Sequence, residues 1–224
     1  MSTWFRENVV CGACGHEGSE MLARGIHASR APEVRAKIVA GVLHRMPCAA
    51  CGTTLDIHHD MVFTDFKRGD WVRVARPGAL TEWQPHERET LEQFERLMTM
   101  GAPIVADLAP TFRVRLVFDL DELRERLVIW DAGLDDAIVE CVKLGCLRER
   151  ADLVRPGHRV RLRSVEVNGD LDIASVPGGT PSVDAMRWTV PAGVVQRVHE
   201  ARSDWQAQVP ELFGRGFVSV DRYL

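Results

Sequence analysis

The sequence predicts an α+β fold, and three observations lead to this prediction. Several short segments alternate apolar and polar residues with the period of two that is typical of strands. Two longer segments repeat their apolar residues at helical spacing. Two CxxC motifs, CGACG at residues 11–15 and CAACG at residues 48–52, lie near the first predicted strands. We therefore expect an N-terminal ribbon joined to a mixed or antiparallel sheet with packed helices.

Length and charge limit the class of protein. The 224 residues are 46% hydrophobic and 27% charged, which suits one or two folded domains. No apolar run is long enough to span a bilayer, and the N-terminus MSTWFREN lacks the order of a signal peptide, so we expect a cytoplasmic protein without membrane contact. The net charge of -4 gives no overall attraction to nucleic acid.

The first 75 residues contain several predicted elements between and after the cysteine motifs. Glu20 to His27 is predicted as a strand, and Pro32 to Val42 as a short helix with proline in its first turn. Thr53 to Phe66 and Trp71 to Ala75 alternate as strands do.

The middle of the chain is predicted to be mostly helical. Residues 86–100 form a helix, 101–110 a connector and 111–118 a strand. The helix carries one apolar stripe: Leu91, Phe94 and Met98. Two further helices are expected to meet at WDAG, where Gly133 interrupts the pattern. Asp119 and Glu122 have the spacing of a capping box at the start of the first.

The last part of the chain is predicted as a hairpin, a helix and a strand. Asn168-Gly169 suits a turn with two positive φ angles. Pro191 to about Val209 is expected to be a helix, and FVSVDRYL a closing strand. We place a domain boundary after residue 150, so that residues 151–224 form an extension packed on residues 1–150.

The two CxxC motifs supply four thiols, the number that a tetrahedral zinc site requires. Each motif brings two thiols to one side of a tight turn, and the glycine that follows, Gly15 or Gly52, suits a positive φ. The motifs are 33 residues apart, but the entropic cost of loop closure rises slowly with length. We predict an N-terminal zinc ribbon with one structural Zn²⁺ and four ligands: Cys11, Cys14, Cys48 and Cys51.

A redox function for each CxxC pair is the alternative. Neither motif follows a strand and opens a long helix, and the two share their glycines, so the metal hypothesis is favoured. Four thiolates close the coordination shell, so the predicted zinc holds structure rather than acting on a substrate.

Together with the CxxC pairs, HHDM at residues 58–61, LDELRERLVIWDAGLDDAIVECVKL at 120–144 and the terminal VSVDRYL resemble the bacterial CpXC domain proteins. The resemblance covers most of residues 8–146. That family is named for two Cys-Pro-X-Cys motifs, whereas Gly12 and Ala49 stand here where proline is typical, which changes turn stiffness but removes no ligand. The resemblance implies a zinc-binding module and no particular reaction.

Other polar residues support a second hypothesis. On a strand, His58 and Asp60 share a face while His59 points away, and Asp131, Asp135 and Asp136 form an acidic cluster. These groups suggest a metal-dependent hydrolase, but Asp135 and Asp136 also suit the start of a helix. His16 and His44 are not expected to be ligands. Cys141 is expected in the core, and Cys146 is not assigned.

The favoured function is therefore a non-enzymatic interaction or adaptor protein stabilised by zinc. Its expected partner is another protein or a second copy of the chain. The metal-dependent hydrolase is the first alternative, and a nucleic-acid-binding zinc ribbon is the second.

Overall fold

The computed structural model contains two compact units, Met1–Arg124 and Glu125–Leu224. It describes residues 2–100, 107–150, 152, 155–177 and 186–223. The predicted α+β class is confirmed, because the described residues include both sheets and six α-helices. The domain boundary that we placed after residue 150 stays a prediction.

The first unit is built on a mixed five-stranded sheet with the order β1-β2-β5-β6-β7. Its strands are Thr3–Val10 (β1), Glu17–His27 (β2), Met61–Asp65 (β5), Asp70–Val74 (β6) and Arg113–Val117 (β7). The β2–β5 and β6–β7 pairs are parallel and the other two are antiparallel. A separate two-stranded ribbon consists of Arg45–Pro47 (β3) and Thr54–Asp56 (β4).

Helices α1, Pro32–Val39, and α2, Trp83–Thr99, belong to the same unit. Phe94 and Met98 of α2 pack with Trp71 of β6, and Leu91 lies against the same cluster. The predicted stripe is therefore the face that α2 buries. Helix α1 ends three residues earlier than predicted.

The strands of this unit differ from the prediction in two places. Strand β1 was not predicted, because it is an edge strand and its alternation is weak: only Phe5 and Val9 are half-buried. The predicted strand from Thr53 to Phe66 is interrupted at residues 57–60, which are neither helix nor strand. This interruption changes the positions of His58 and Asp60.

Helix α3, Leu120–Asp131, contains the boundary between the units, and helix α4 is Asp136–Glu149. The turn between them has Gly133 at φ +72°, as the WDAG pattern predicted. The N–H of Glu122 donates to Asp119 Oδ1 (2.6 Å), which is one half of the predicted capping box. The Glu122 carboxylate accepts the N–H of Phe118 (2.9 Å).

The second unit contains an antiparallel sheet with the order β10-β9-β8. Its strands are His158–Val165 (β8), Leu171–Pro177 (β9) and Met186–Val190 (β10). The predicted hairpin joins β8 and β9, but only Gly169 has a positive φ (+85°), not Asn168. The N–H of Gly169 donates to the carbonyl of Glu166 (2.8 Å), so the turn spans residues 166–169 and Gly169 is its last residue. The expected type I′ turn would instead have Asn168 and Gly169 as its two central residues, both with positive φ.

The end of the chain differs from its prediction. The predicted helix is two helices, Ala192–Glu200 (α5) and Arg202–Gln208 (α6), which meet at Ala201. The predicted strand FVSVDRYL is wrong, since Val220–Tyr223 is a 3₁₀ helix. The N–H of Val220 donates to the Glu140 carboxylate (2.9 Å), so a buried side chain takes the place of a strand partner. The predicted connector at 101–110 falls partly outside the described residues.

Candidate metal centre

The two CxxC motifs form turns of the same construction, which we call knuckles (residues 11–15 and 48–52). The first joins β1 to β2 and the second joins β3 to β4. In each, the N–H of the first cysteine donates to the carbonyl five residues later: Cys11 to His16 (2.9 Å) and Cys48 to Thr53 (2.8 Å). The N–H of each following glycine donates back to the carbonyl of that cysteine at 2.8 Å.

The glycines have the backbone conformation that their position predicted. Gly15 has φ +72° and Gly52 has φ +74°. In this region a Cβ atom approaches the following carbonyl oxygen, so a residue without Cβ fits without strain. Each knuckle therefore turns tightly enough to present both of its thiols on one side.

The four sulfur atoms converge on one point. All four Sγ atoms lie within 4.8 Å of one another, and the pairs Cys11–Cys51 and Cys14–Cys48 are 3.8 Å and 3.7 Å apart. A tetrahedron with metal–sulfur bonds of 2.3 Å has edges of about 3.8 Å. The spacing of the thiols thus fits one ion. Among the described residues, these four cysteines are the only group of three or more His, Cys, Asp or Glu side chains that could hold a metal ion.

Hydrogen-bond donors around the sulfur atoms favour the thiolate form of two cysteines. The backbone N–H groups of Ala13 and Cys14 lower the pKa of Cys11. The hydroxyl and the N–H of Thr53 lower the pKa of Cys51 to about 6. The N–H of His16 lowers the pKa of Cys14, but the neighbouring sulfurs, that of Cys51 first, outweigh it and raise the pKa to about 12. A cation bound between the sulfur atoms would offset this repulsion between neighbouring thiolates.

An arginine fixes the second ribbon hairpin within the first unit. Arg45 of β3 pairs with Asp56 of β4 (2.8 Å) and with Asp121 at the start of α3 (2.8 Å). Arg45 Nη1 also donates to the carbonyl of Gly41 (3.0 Å). These contacts orient the hairpin that carries Cys48 and Cys51.

Two histidines form hydrogen bonds with the backbone of Ala23 in β2. The N–H of Ala23 donates to His44 Nε2 (3.0 Å), and His59 Nε2 donates to the carbonyl of Ala23 (2.7 Å). These bonds fix the neutral tautomers, with the proton on Nδ1 of His44 and on Nε2 of His59. Both rings border a cavity of about 10 Å³, and their centroids are 4.8 Å apart. Sequence patterns did not reveal this pair of histidines, because both bind the backbone of Ala23, which is distant from them in the sequence.

The residues of the hydrolase hypothesis have other partners. His58 Nε2 lies 3.8 Å from Asp56 Oδ1, and Asp60 accepts the N–H of Arg76 (3.2 Å), so the expected pairing of His58 with Asp60 on one strand face is wrong. Asp135 caps α4 by accepting the N–H of Ala137 (2.9 Å), as its position before a helix predicted.

The remaining candidates lie outside the metal centre. His16 contributes a carbonyl to the first knuckle, and His44 binds β2; neither belongs to the metal-binding cluster. Cys141 is fully buried, as expected for a core residue, and Cys146 is half-buried, where burial raises the pKa of its thiol.

Comparison with known proteins gives one family. The family model described as CpXC protein matches residues 9–143, a segment that includes both knuckles. No curated protein and no solved structure is significantly similar to the chain. Within the described residues, no helix is long and apolar enough to cross a membrane. Because the matched segment is more than half of the 224 residues, the chain belongs to the CpXC family.

Proposed function

We propose that Cys11, Cys14, Cys48 and Cys51 bind one structural zinc ion. Support comes from the four sulfur atoms, which lie within 4.8 Å of one another and would form an all-thiolate set. Such a set suits zinc and leaves no position for water or substrate. The ion would join the β1–β2 hairpin to the β3–β4 hairpin, and its binding free energy would then contribute to folding.

We further propose that the protein is a non-enzymatic adaptor whose partner is another protein or a second copy of the chain. The observation that carries this proposal is the closed thiolate set, because a metal without an open position can support a binding surface but cannot activate a substrate. A cytoplasmic location belongs to the same proposal, since reducing conditions keep the thiols available to the metal.

Metal analysis of the purified protein tests the zinc assignment. One zinc per chain is expected, and Cys48→Ser should lower the zinc content and the melting temperature together. Cys146→Ser is the matched control, because it removes a half-buried thiol outside the cluster. Unchanged zinc content in Cys48→Ser would contradict the assignment.

A pull-down of the tagged protein from cells that express it tests the adaptor function. The experiment is done at moderate salt, and copurifying proteins and nucleic acid are both measured. A protein in stoichiometric amount, or a homodimer, is the expected result. A monomer that retains no protein partner would overturn the adaptor proposal, and stoichiometric nucleic acid would favour the nucleic-acid alternative.

A further inference from the structure

The small cavity that His44 and His59 border in the first unit has the size of a single water molecule. Its volume is about 10 Å³. Most of the remaining wall is apolar and consists of Ile57, Met61, Val74, Ala75 and Leu120. A cavity of roughly 10–15 Å³ holds one water molecule, so a larger ligand does not fit.

Two polar atoms of the cavity lining have no partner. The Nδ1 atoms of His44 and His59 are buried, and no residue in the part of the chain that the structure describes hydrogen-bonds to either. The other polar side chains of the lining are engaged elsewhere, since Asp119 accepts a backbone N–H and His58 lies near a carboxylate. A buried polar atom without a hydrogen bond destabilises the fold, so the two Nδ1 atoms mark where a ligand would bind.

The backbone of Ala23 determines which of these atoms is a donor. Its N–H donates to His44 Nε2 (3.0 Å), so neutral His44 has its proton on Nδ1 and offers a donor. Its carbonyl accepts a proton from His59 Nε2 (2.7 Å), so neutral His59 has a lone pair on Nδ1 and offers an acceptor. Burial lowers the pKa of both imidazoles, which favours the neutral form of each.

The ligand must therefore accept one hydrogen bond and donate another. A bare cation cannot accept the bond from His44, and a halide cannot donate the bond to His59. A water molecule does both, and a site with two polar partners is sufficient to hold it.

We infer that one internal water molecule bridges Nδ1 of His44 and Nδ1 of His59, whose ring centroids are 4.8 Å apart. The bridge closes a ring of hydrogen bonds. This ring runs from the N–H of Ala23 through His44, the water and His59, and returns to the carbonyl of Ala23. All four imidazole nitrogens then have a partner.

This ring of hydrogen bonds joins the hairpin of the second knuckle to the strand that follows the first. His44 directly precedes β3, residues 57–60 directly follow β4, and the N–H of Ile57 donates to the carbonyl of His44 (3.1 Å). Ala23 belongs to β2. The water therefore fixes both ends of the β3–β4 hairpin against β2 and positions the two knuckles for one ion. This consequence rests on the proposed zinc site, whereas the water site itself does not.

A high-resolution crystal structure and NMR of the protein with ¹⁵N-labelled histidine test the water site. Density for one water molecule is expected about 2.7–3.2 Å from each Nδ1 atom. Long-range ¹H–¹⁵N correlation should place the proton on Nδ1 of His44 and on Nε2 of His59. The opposite tautomer of either ring, or the absence of density between the two Nδ1 atoms, would overturn the inference.

His59→Gln tests the positioning role. The amide nitrogen of glutamine can still donate to the carbonyl of Ala23, but the Nδ1 acceptor is lost, so the water loses one of its two bonds. His44 should keep its tautomer, because Ala23 still fixes it, while its Nδ1 proton should exchange faster with solvent. Zinc affinity, measured by competition with a chromophoric chelator, should fall about tenfold.

His58→Gln is the matched control, because it changes the adjacent histidine, whose ring lies near Asp56 instead. It should leave the zinc affinity and the exchange of the His44 proton unchanged. Equal zinc affinities in the two variants would overturn the positioning role. A wild-type protein that binds no zinc would contradict the proposed metal centre, and the density and the tautomers would still decide the water site.

Discussion

The imidazole of His44 is neutral in the folded protein, because its Nε2 atom accepts the N–H of Ala23. Burial lowers its pKa from 6.5 to about 4, with smaller contributions from the charges of His59 and His58. Since the folded pKa is lower than the unfolded one, His44 stabilises the fold fully above pH 6.5, and this contribution is lost as the pH falls toward 4. We expect the free energy of unfolding to fall by about 1–2 kcal/mol between pH 7.5 and pH 5 from this residue.

Urea unfolding followed by tryptophan fluorescence at both pH values measures this effect. His44→Asn is the comparison, because asparagine does not titrate and tolerates the positive φ of this position (+56°). The variant should be less stable at pH 7.5 and lose less stability on acidification. Acid also protonates the four thiols, but it does so in both proteins, so the difference between them isolates His44. Equal losses would show that the hydrogen bond to Ala23 does not respond to pH.

Gly52 and Gly12 allow a matched test of the knuckle backbone. A Cβ atom at either position meets no atom within 4 Å, but only Gly52 has a positive φ. Gly52→Ala should therefore cost about 1–2 kcal/mol, from backbone strain alone. We expect zinc affinity to fall roughly tenfold in Gly52→Ala and to stay unchanged in Gly12→Ala, measured by competition with a chromophoric chelator. Equal affinities would mean that the metal does not require the tight turn.

At the scale of elements, a buried charge network joins α3 to α4. Lys143 lies 2.6 Å from Glu125 and 2.7 Å from Glu140, and Arg126 lies 2.8 Å from Glu140. All four side chains are at most 1% exposed, so removing one charge leaves its partner buried and unpaired. Lys143→Met should destabilise the second unit by about 3–5 kcal/mol.

The control for this prediction is Arg150→Met, which removes an exposed ion pair with Asp152 next to the same helix. Exposed pairs contribute about 0–1 kcal/mol, so this variant should unfold at nearly the same denaturant concentration as the wild-type protein. Thermal and urea unfolding followed by circular dichroism compare the two. A Lys143→Met protein as stable as Arg150→Met would show that the two glutamates are protonated or hydrated in the fold.

Elements whose structure depends on neighbouring residues in the sequence were predictable from the sequence. The WDAG turn, the stripe of α2 and the positive φ of Gly15 and Gly52 all follow from local rules. The misses depend on contacts with distant residues. Val220 is in a 3₁₀ helix because its N–H donates to Glu140, eighty residues away. His59 pairs with the backbone of Ala23 for a similar reason, and no sequence period reports such a partner.

At the scale of the whole molecule, the metal centre belongs to one compact unit only. All four cysteines lie within Met1–Arg124, whereas the charge network from Glu125 to Lys143 belongs to the second unit. Removal of the metal is therefore expected to loosen one unit while the other keeps its own contacts. Strand β1 is mostly exposed and strands β3 and β4 have only three residues each, so we expect the knuckles to depend on the ion even though Arg45 orients the second hairpin.

Hydrogen exchange before and after chelation tests this expectation. A chelator should release one zinc per chain, and exchange should then accelerate in β1, in residues 17–22 of β2 and in the β3–β4 ribbon, because metal binding and local folding share one free energy. The amides of α4 and of strands β8 and β9 should keep their protection, since Glu125 and Glu140 accept hydrogen bonds from Leu162 and Val220 within the second unit. Readdition of zinc should restore the original pattern. Equal acceleration in both units would mean that the chain unfolds as one cooperative body, and no change near the knuckles would mean that the ion has no structural role.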